Sequence, residues 1–138
     1  HNGQIVSIEI SPRMMRDLSK LSELRPGLIP VLGDARNPMV ISPYLRDKVD
    51  WIHQDISVAD QTQSFLKISE IFLKPEGIGL LSLKAASERW IEGGDDSRFK
   101  EAEKLINLNK NLTLLENIDI SHFESQHRIF VVKKLDVV

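Results

Sequence analysis

Apolar residues recur along this chain in two alternating patterns, and each pattern predicts a different element. Short apolar runs are typical of buried strands, whereas apolar residues spaced by three or four are typical of amphipathic helices. The runs predict strands at residues 4–10, 28–32, 49–53, 79–84, 112–120 and 128–134. The wider spacing predicts helices at residues 12–24, from Asp60 to the turn Pro75-Glu76-Gly77, and at about residues 96–109. Residues 37–47 are expected to form a loop or a short helix. Strands thus alternate with helices or this connection until the last two strands, which follow each other directly.

Local signals sharpen three of these boundaries. Ser11 is a typical helix cap, and Pro12 fits the first helical position, where a missing N–H costs nothing. Asp60 is expected to cap the second helix, with Gln63 completing a capping box. Pro30 cannot donate to a strand ladder, so its strand is expected at a sheet edge.

The order of the elements indicates an α/β fold. Strands that alternate with helices favour a mostly parallel sheet with helices on both faces. Residues 121–126 are too short for a helical crossover, so the last two strands are expected to form an antiparallel hairpin. With no repeat, linker or low-complexity tract, residues 1–138 are expected to form a single domain.

Composition narrows the class of protein only modestly. Apolar residues make up 41% and charged residues 28% of the chain, as in ordinary globular proteins. The net charge of −2 gives no overall attraction to nucleic acid, so RNA binding would need a local patch or a partner. The absence of cysteine excludes disulfides and thiolate metal sites. The chain has no long apolar run and no signal-peptide pattern, so we expect a cytoplasmic protein without a membrane span. The histidines show no metal-ligand spacing, so no metal is expected.

Polar residues at the ends of successive predicted strands carry the candidate chemistry. Glu9, Asp34 and Asp55 lie at or just after the ends of the first three strands, and Lys84 ends the fourth. Ligands bind open parallel sheets at this carboxyl edge, so we expect the four side chains to converge along one rim and hold one small molecule. A carboxylate suits two ribose hydroxyls, and an ammonium can favour the alkoxide of a third hydroxyl.

Each candidate also has a structural alternative. Glu9 could be a solvated turn acid, Asp34 a turn former, Asp55 a strand terminator and Asp60 a helix cap. His127 could be a satisfied surface histidine rather than a base. Lys84 is harder to explain structurally, because a lysine that ends an apolar strand is disfavoured unless its side chain snorkels to water.

Four motifs, taken in order, carry a resemblance to a known family. They are Ile8-Glu9-Ile10-Ser11-Pro12-Arg13, Gly33-Asp34-Ala35-Arg36, Asp55 with Asp60-Gln61, and Leu83-Lys84-Ala85. Together they resemble fibrillarin, the RNA 2′-O-methyltransferase of box C/D particles, in its archaeal form. The closing stretch from Gln126 to Val132 is similar to the last strand of that family, so the resemblance covers nearly the whole chain.

The resemblance implies a Rossmann-like class I methyltransferase fold, S-adenosylmethionine as methyl donor, and a role for each matching residue. Glu9 would hold the donor ribose with Ile10 beside it, and Asp34 and Ala35 would contact the adenine. The loop Asp55, Ile56, Ser57 and Val58 would lie beside the methionine part of the donor. Asp55, Lys84 and His127 would be the catalytic residues. The implied partners are a guide RNA, an rRNA or tRNA substrate and a box C/D scaffold protein.

Two departures from the family pattern accompany the resemblance. The family's Gly-rich donor-binding turn and its N-terminal lysine would lie upstream of residue 1, together with a first strand that stands in the middle of the family's sheet. Val58 stands where the family usually has glutamine. The alternative function is therefore a truncated, non-catalytic paralogue that binds protein or RNA, or a homodimer in which a second copy covers the missing strand. A third reading is that the chain is a fragment of a longer protein.

Overall fold

The structure, a computed structural model, describes residues 2–136 and divides into two compact units. The first unit runs to Asp47 and the second begins at Lys48. The single domain that the sequence predicts over residues 1–138 stays a prediction.

The first unit is built on a two-stranded parallel sheet. Its elements are β1 (Ile5–Glu9), α1 (Pro12–Leu24), β2 (Leu28–Leu32), α2 (Pro38–Ile41) and a 3₁₀ turn (Ser42–Tyr44). In the pairing of β1 with β2, Glu9 lies opposite Leu32, so both strands end at the same edge. Within the described residues β2 pairs with β1 alone, and Pro30 therefore lies in an edge strand as predicted.

Helix α1 confirms the predicted start signal. The Ser11 hydroxyl accepts a hydrogen bond from the Met14 N–H at 3.3 Å, and Pro12 is the first helical residue. The apolar residues of α1 are only partly covered, however. No residue of the helix is buried, and the side chains of Met14 and Leu21 are 54% and 44% exposed.

The second unit is a four-stranded mixed sheet with two long helices. Its elements are β3 (Val49–Gln54), α3 (Gln61–Phe72), β4 (Leu73–Lys84), a 3₁₀ turn (Ala85–Ser87), α4 (Gly94–Leu108), β5 (Leu112–Asp119) and β6 (His127–Lys134). The strand order is β3-β4-β6-β5. The predicted antiparallel pairing of the last two strands is confirmed. Because β6 lies between β4 and β5, it pairs antiparallel on both sides, so antiparallel pairing is more extensive than the alternation of elements indicated.

Two boundary predictions around α3 are wrong. The helix ends at Phe72 rather than at Pro75-Glu76-Gly77, because β4 already begins at Leu73. That tripeptide instead forms an irregularity in β4, where the pairing register with β3 shifts and Glu76 has a φ of 67°. The predicted capping box is also absent: Asp60 stands at the cap position, but its carboxylate accepts from the Ser64 hydroxyl at 3.2 Å instead of from a backbone N–H.

Both long helices of the second unit cover the same face of its sheet. Leu81 and Leu83 of β4 point into a core formed with α3 and α4. That core consists of Phe65, Leu81, Leu83, Ala85, Phe99, Ala102, Ile106, Leu112, Phe130 and Val132. Leu80 and Lys84 point to the opposite face and are half-buried, and the core residues of α3 and α4 all lie on the first face, so within this unit the helices cover one face of the sheet.

Candidate functional site

In the first unit, two predicted donor-binding acids leave the same edge of the sheet. Glu9 is the last residue of β1, and Asp34 follows β2 by two residues. The Gly33 N–H donates to the Glu9 carbonyl at 3.0 Å and so fixes the two strand ends against each other. The parallel register therefore brings Glu9 and Asp34 to a common edge, as the sequence predicts for this pair.

The Glu9 side chain is half-buried, and one of its two carboxylate oxygens accepts a hydrogen bond within the protein. Its Oε1 accepts a hydrogen bond from the Ser11 N–H at 2.9 Å, which orders the turn into α1. Among residues 2–136 no donor is within hydrogen-bond distance of Oε2. Ile10 beside it is 67% exposed. Glu9 thus acts as a turn acid through one oxygen and keeps the other as an acceptor.

Asp34 is engaged with Arg36. The Arg36 backbone N–H donates to Oδ1 at 2.9 Å, and the guanidinium donates to both carboxylate oxygens, the shortest contact being 2.8 Å. These hydrogen bonds from Arg36 hold the pKa of the Asp34 carboxyl below its usual value. Asp34 is therefore a turn former and a fixed anion at once, and Ala35 lies half-exposed within the same turn.

In the second unit, the loop after β3 carries four predicted residues. Asp55 and Ser57 are exposed, whereas Ile56 and Val58 are half-buried. No hydrogen bond or ion pair joins Asp55 to another described residue. The loop therefore presents the Asp55 carboxylate to solvent at the carboxyl end of β3.

Lys84 and His127 come together across two strands. Lys84 ends β4, His127 begins β6, and the two are register partners in the antiparallel pairing. Directly opposed residues have Cβ atoms about 4.5–5.5 Å apart on the same face. The Ala85 N–H also donates to the Gln126 carbonyl at 2.9 Å, which closes the two strand ends onto each other.

The alternative of a surface position for His127 is wrong. The residue is 8% exposed, and its Nδ1 lies 2.8 Å from the Ser125 carbonyl oxygen. A carbonyl can only accept, so Nδ1 carries the proton and Nε2 of the neutral ring keeps a lone pair. His127 is thus a satisfied histidine, but a buried one with a defined tautomer.

A buried amide network lies beside Lys84, and although Gln61 belongs to one of the four motifs, its pattern in the sequence does not indicate this network. The Gln61 side chain contacts the Lys84 backbone and the Glu88 carboxylate, and Gln54 donates to the Gln61 carbonyl. Burial raises the pKa of the Glu88 carboxyl, and the hydrogen bonds from Gln61 oppose this shift only in part. Glutamine after a helix cap is unremarkable in sequence, so only the structure identifies this network.

Neither a metal-binding cluster nor a membrane-spanning helix occurs in the described part of the chain. In residues 2–136 there is no group of three or more histidine, aspartate or glutamate side chains that could hold a metal ion. Nor is any helix there both long enough and apolar enough to cross a bilayer.

The structure thus brings the predicted residues together in two groups, one in each unit. Glu9, Ile10, Asp34 and Ala35 share one edge of the first unit, and Asp55, Lys84 and His127 lie at strand ends of the second. The convergence of all of them along a single rim stays a prediction.

Comparisons with known proteins agree on one family. The family model Fibrillarin matches residues 1–136. The fibrillarin-like rRNA/tRNA 2′-O-methyltransferase of Pyrococcus abyssi is 33% identical over 132 residues, which is 96% of this chain and 56% of that protein. The chain therefore spans little more than half the length of this curated relative.

Solved structures of fibrillarins also match this chain. A fibrillarin/Nop5p complex matches with a TM-score of 0.86 and 26% identity over 96% of this chain and 62% of that one. Aeropyrum pernix fibrillarin, in complex with natively bound S-adenosyl-L-methionine, matches with a TM-score of 0.76 and 26% identity over 96% of this chain and 56% of that one. The fold is the Rossmann-like class I methyltransferase fold that the sequence predicts, and the chain belongs to the fibrillarin family.

Proposed function

We propose that this chain supplies the S-adenosylmethionine-dependent RNA 2′-O-ribose methyltransferase activity of a guide-RNA box C/D particle in the cytoplasm. One observation carries the proposal: Lys84, at the carboxyl end of β4, lies in register opposite the buried His127. A cation beside a neutral imidazole is an arrangement that can bind a hydroxyl and take its proton.

The residues of the first unit fit the donor's nucleoside. Glu9 keeps Oε2 without a partner among residues 2–136 and can accept from a ribose hydroxyl, while Ile10 offers exposed apolar surface beside it. The Asp34 carboxylate is held ionised by Arg36, and its remaining lone pairs can accept from the adenine amine, with Ala35 adjacent. In the second unit, the loop from Asp55 to Val58 would contact the methionine part.

The catalytic roles follow from the charges and hydrogen bonds of the second unit. When bound, S-adenosylmethionine supplies an electrophilic methyl carbon and a neutral thioether leaving group. Lys84 would hold the ribose 2′-hydroxyl and stabilise its alkoxide. Asp55, which has no partner among the described residues, would orient the ammonium once donor and RNA are bound. His127 accepts the hydroxyl proton at Nε2, because Nδ1 already donates to Ser125. Most of the rate would come from positioning, which is worth about 7–11 kcal/mol in well-oriented cases.

Partners would supply much of the RNA contact. A net charge of −2 gives the chain no general attraction to a polyanion. A scaffold protein and a guide RNA would therefore select the rRNA or tRNA nucleotide, and the match to a fibrillarin solved with Nop5p supports a protein scaffold.

The test is methyl transfer by the reconstituted particle. The chain, a scaffold protein and a guide RNA are incubated with a matching target RNA and donor labelled at the methyl group. We expect label at the guided 2′-oxygen, loss of at least about 100-fold in rate for Lys84→Met, and no change for Lys100→Met on the exposed side of α4. Calorimetry with S-adenosylmethionine alone separates donor binding from chemistry. The proposal fails if millimolar donor gives no binding and the guided site stays unlabelled.

One observation favours the alternative of a non-catalytic interaction module. Among the described residues β1 pairs only with β2, and its first residue, Ile5, is 49% exposed. An unpaired strand edge with apolar neighbours is a template for a partner strand, including that of a second copy in a homodimer. Sedimentation equilibrium decides between these readings: a dimer that binds no donor supports the alternative, and a donor-binding monomer excludes it.

A further inference from the structure

Gln61 is a fully buried polar residue whose side chain contacts the backbone of the proposed catalytic lysine. Its Oε1 accepts from the Lys84 N–H at 3.1 Å, and its Nε2 donates to the Lys84 carbonyl at 3.1 Å. The second Nε2 proton goes to Glu88 Oε2, also at 3.1 Å. Because the Lys84 N–H can only donate and the Glu88 carboxylate can only accept, these partners fix which end of the amide faces each of them.

The position of Gln61 explains why Lys84 needs such a partner. The last residue of β3 lies opposite Leu81, so β4 runs on beyond the end of its parallel neighbour. The following Ala85 N–H bonds toward β6, so the Lys84 N–H and carbonyl face the side that β3 no longer occupies. Backbone groups buried without a partner are costly. The amide of Gln61 thus replaces the missing next residue of β3.

The backbone of Gln61 extends the same connection to β3. Its carbonyl accepts from the Gln54 side chain at 2.8 Å, and Gln54 is 7% exposed. Gln54 directly precedes Asp55, so a single residue links the strand end that carries Asp55 to the strand end that carries Lys84. The loops that follow β3 and β4 are also in contact, because the Arg89 N–H donates to the Ala59 carbonyl at 3.3 Å.

We propose that Gln61 is a positioning residue that sets the backbone of Lys84 relative to the Asp55 loop, with Glu88 orienting its amide. The inference rests on the proposed function, because it assigns Gln61 to the same chemistry. Gln61 acts only through Lys84 and Asp55. Its loss should therefore lower kcat while the affinity for the donor is kept.

Three variants separate positioning from bulk packing. Gln61→Met has nearly the same volume but removes all three side-chain hydrogen bonds. Gln61→Glu keeps the acceptor for the Lys84 N–H and loses the donor, which returns when the carboxyl is protonated at low pH. Gln63→Met makes the same chemical change two residues on, at an exposed position of α3.

The first measurement is amide hydrogen exchange at Lys84, with Leu81 as internal reference. Gln61→Met should lower the protection factor of Lys84 by about tenfold. The protection factor of Leu81 should fall by no more than the change in global stability accounts for. Gln61→Glu keeps an acceptor for the Lys84 N–H but turns a carboxylate oxygen toward the Lys84 carbonyl and Glu88 Oε2, so it should also lower the protection factor of Lys84. Protection should return as pH falls and the carboxyl regains a donor. Gln63→Met should match wild type. Unchanged Lys84 protection in Gln61→Met overturns the proposal, and should that variant fail to fold, an unperturbed Gln61→Glu overturns it as well.

The second measurement is steady-state methyl transfer in the reconstituted particle. Gln61→Met should lower kcat by about 10- to 100-fold, as small misplacements of reacting groups do, with the donor dissociation constant within about threefold of wild type. A wild-type kcat in Gln61→Met, or an equal loss in Gln63→Met, contradicts positioning. An inactive wild type would sink the proposed function instead, and the exchange result alone would then decide whether Gln61 holds Lys84.

Discussion

Lys84 and His127 oppose each other at the ends of β4 and β6, and the imidazole of His127 is fixed by the Ser125 carbonyl 2.8 Å from Nδ1. The hydrogen bond and the lone pair of the ring therefore belong to different nitrogens. This separation allows the structural and the chemical contribution of His127 to be measured independently.

Replacing His127 by asparagine should remove the base and keep the hydrogen bond, because the asparagine Nδ2 can donate to the Ser125 carbonyl. We expect a stability change within about 1 kcal/mol and a drop of about 100-fold in methyl-transfer rate. The measurements are urea unfolding of the chain and the rate of methyl transfer in the reconstituted particle. The exposed His122→Asn is the matched control, and a wild-type rate in His127→Asn would rule out a role as base.

The sequence predicted most of the fold because its elements follow simple periodicity. The strand Leu28–Leu32 and the helix Pro12–Leu24 were predicted with the bounds that the structure shows. The start of β4 was missed because Leu73 to Gly77 contains a proline and a glycine, which usually interrupt a strand. Here an irregular register with β3 accommodates both residues.

The candidate residues that lie at strand ends were predictable from the sequence. The residues whose role depends on tertiary contacts were missed. Lys84 stood out because a lysine at the end of an apolar strand is unusual. The role of Gln61 depends on β3 ending three residues before β4 does, a relation between strands that local sequence does not encode. The pairing of Asp34 with Arg36 was equally hidden, since an aspartate in a turn is expected to bond backbone N–H groups first.

The ion pair of Asp34 with Arg36 should make the stability of the chain sensitive to acid. The pKa of Asp34 is lowered in the folded state, so its contribution is present above the ordinary pKa of 3.8 and is lost as pH falls through the folded value. Asp34→Asn should be less stable than wild type at pH 6 by under about 1 kcal/mol, because the pair is partly exposed. This difference should shrink below about pH 4.

Urea unfolding at pH 6 and pH 3 measures this difference for Asp34→Asn. Asp17→Asn, at an exposed position of α1, is the control and should show no such pH dependence. A constant difference between wild type and Asp34→Asn at both pH values would contradict the assignment.

Glu88 should make the stability of the chain depend on pH in the opposite direction to Asp34. Its pKa is raised by burial, so the folded state holds the proton more tightly than the unfolded state. Stability should therefore fall as pH rises from the ordinary value of 4.5 through the raised one, and stay constant above it. Glu88→Gln keeps an acceptor for Gln61 and removes the charge. It should be more stable than wild type at pH 7 by under about 1 kcal/mol, given the partial exposure of the group, and should lose that advantage near pH 4.

Thermal unfolding across this pH range gives the comparison for Glu88→Gln. The control is Glu101→Gln, which removes a carboxylate from the exposed side of α4. If both variants change stability equally at every pH, general charge rather than the burial of Glu88 is responsible.

Gly79 should be intolerant of a single added methyl group, because α3 packs directly on the β4 backbone there. A Cβ at this position would lie 2.9 Å from Phe65 Cζ and 3.0 Å from Val132 Cγ2, both in fully buried side chains. Gly79→Ala should therefore lower the free energy of unfolding by about 1–3 kcal/mol, the usual cost of overpacking a core. Urea denaturation measures it against Gly3→Ala, whose Cβ meets nothing within 4 Å. Adding Phe65→Leu removes the nearest ring atom, so the double variant should be more stable than the sum of the two single changes; simple additivity would show that the strain arises elsewhere.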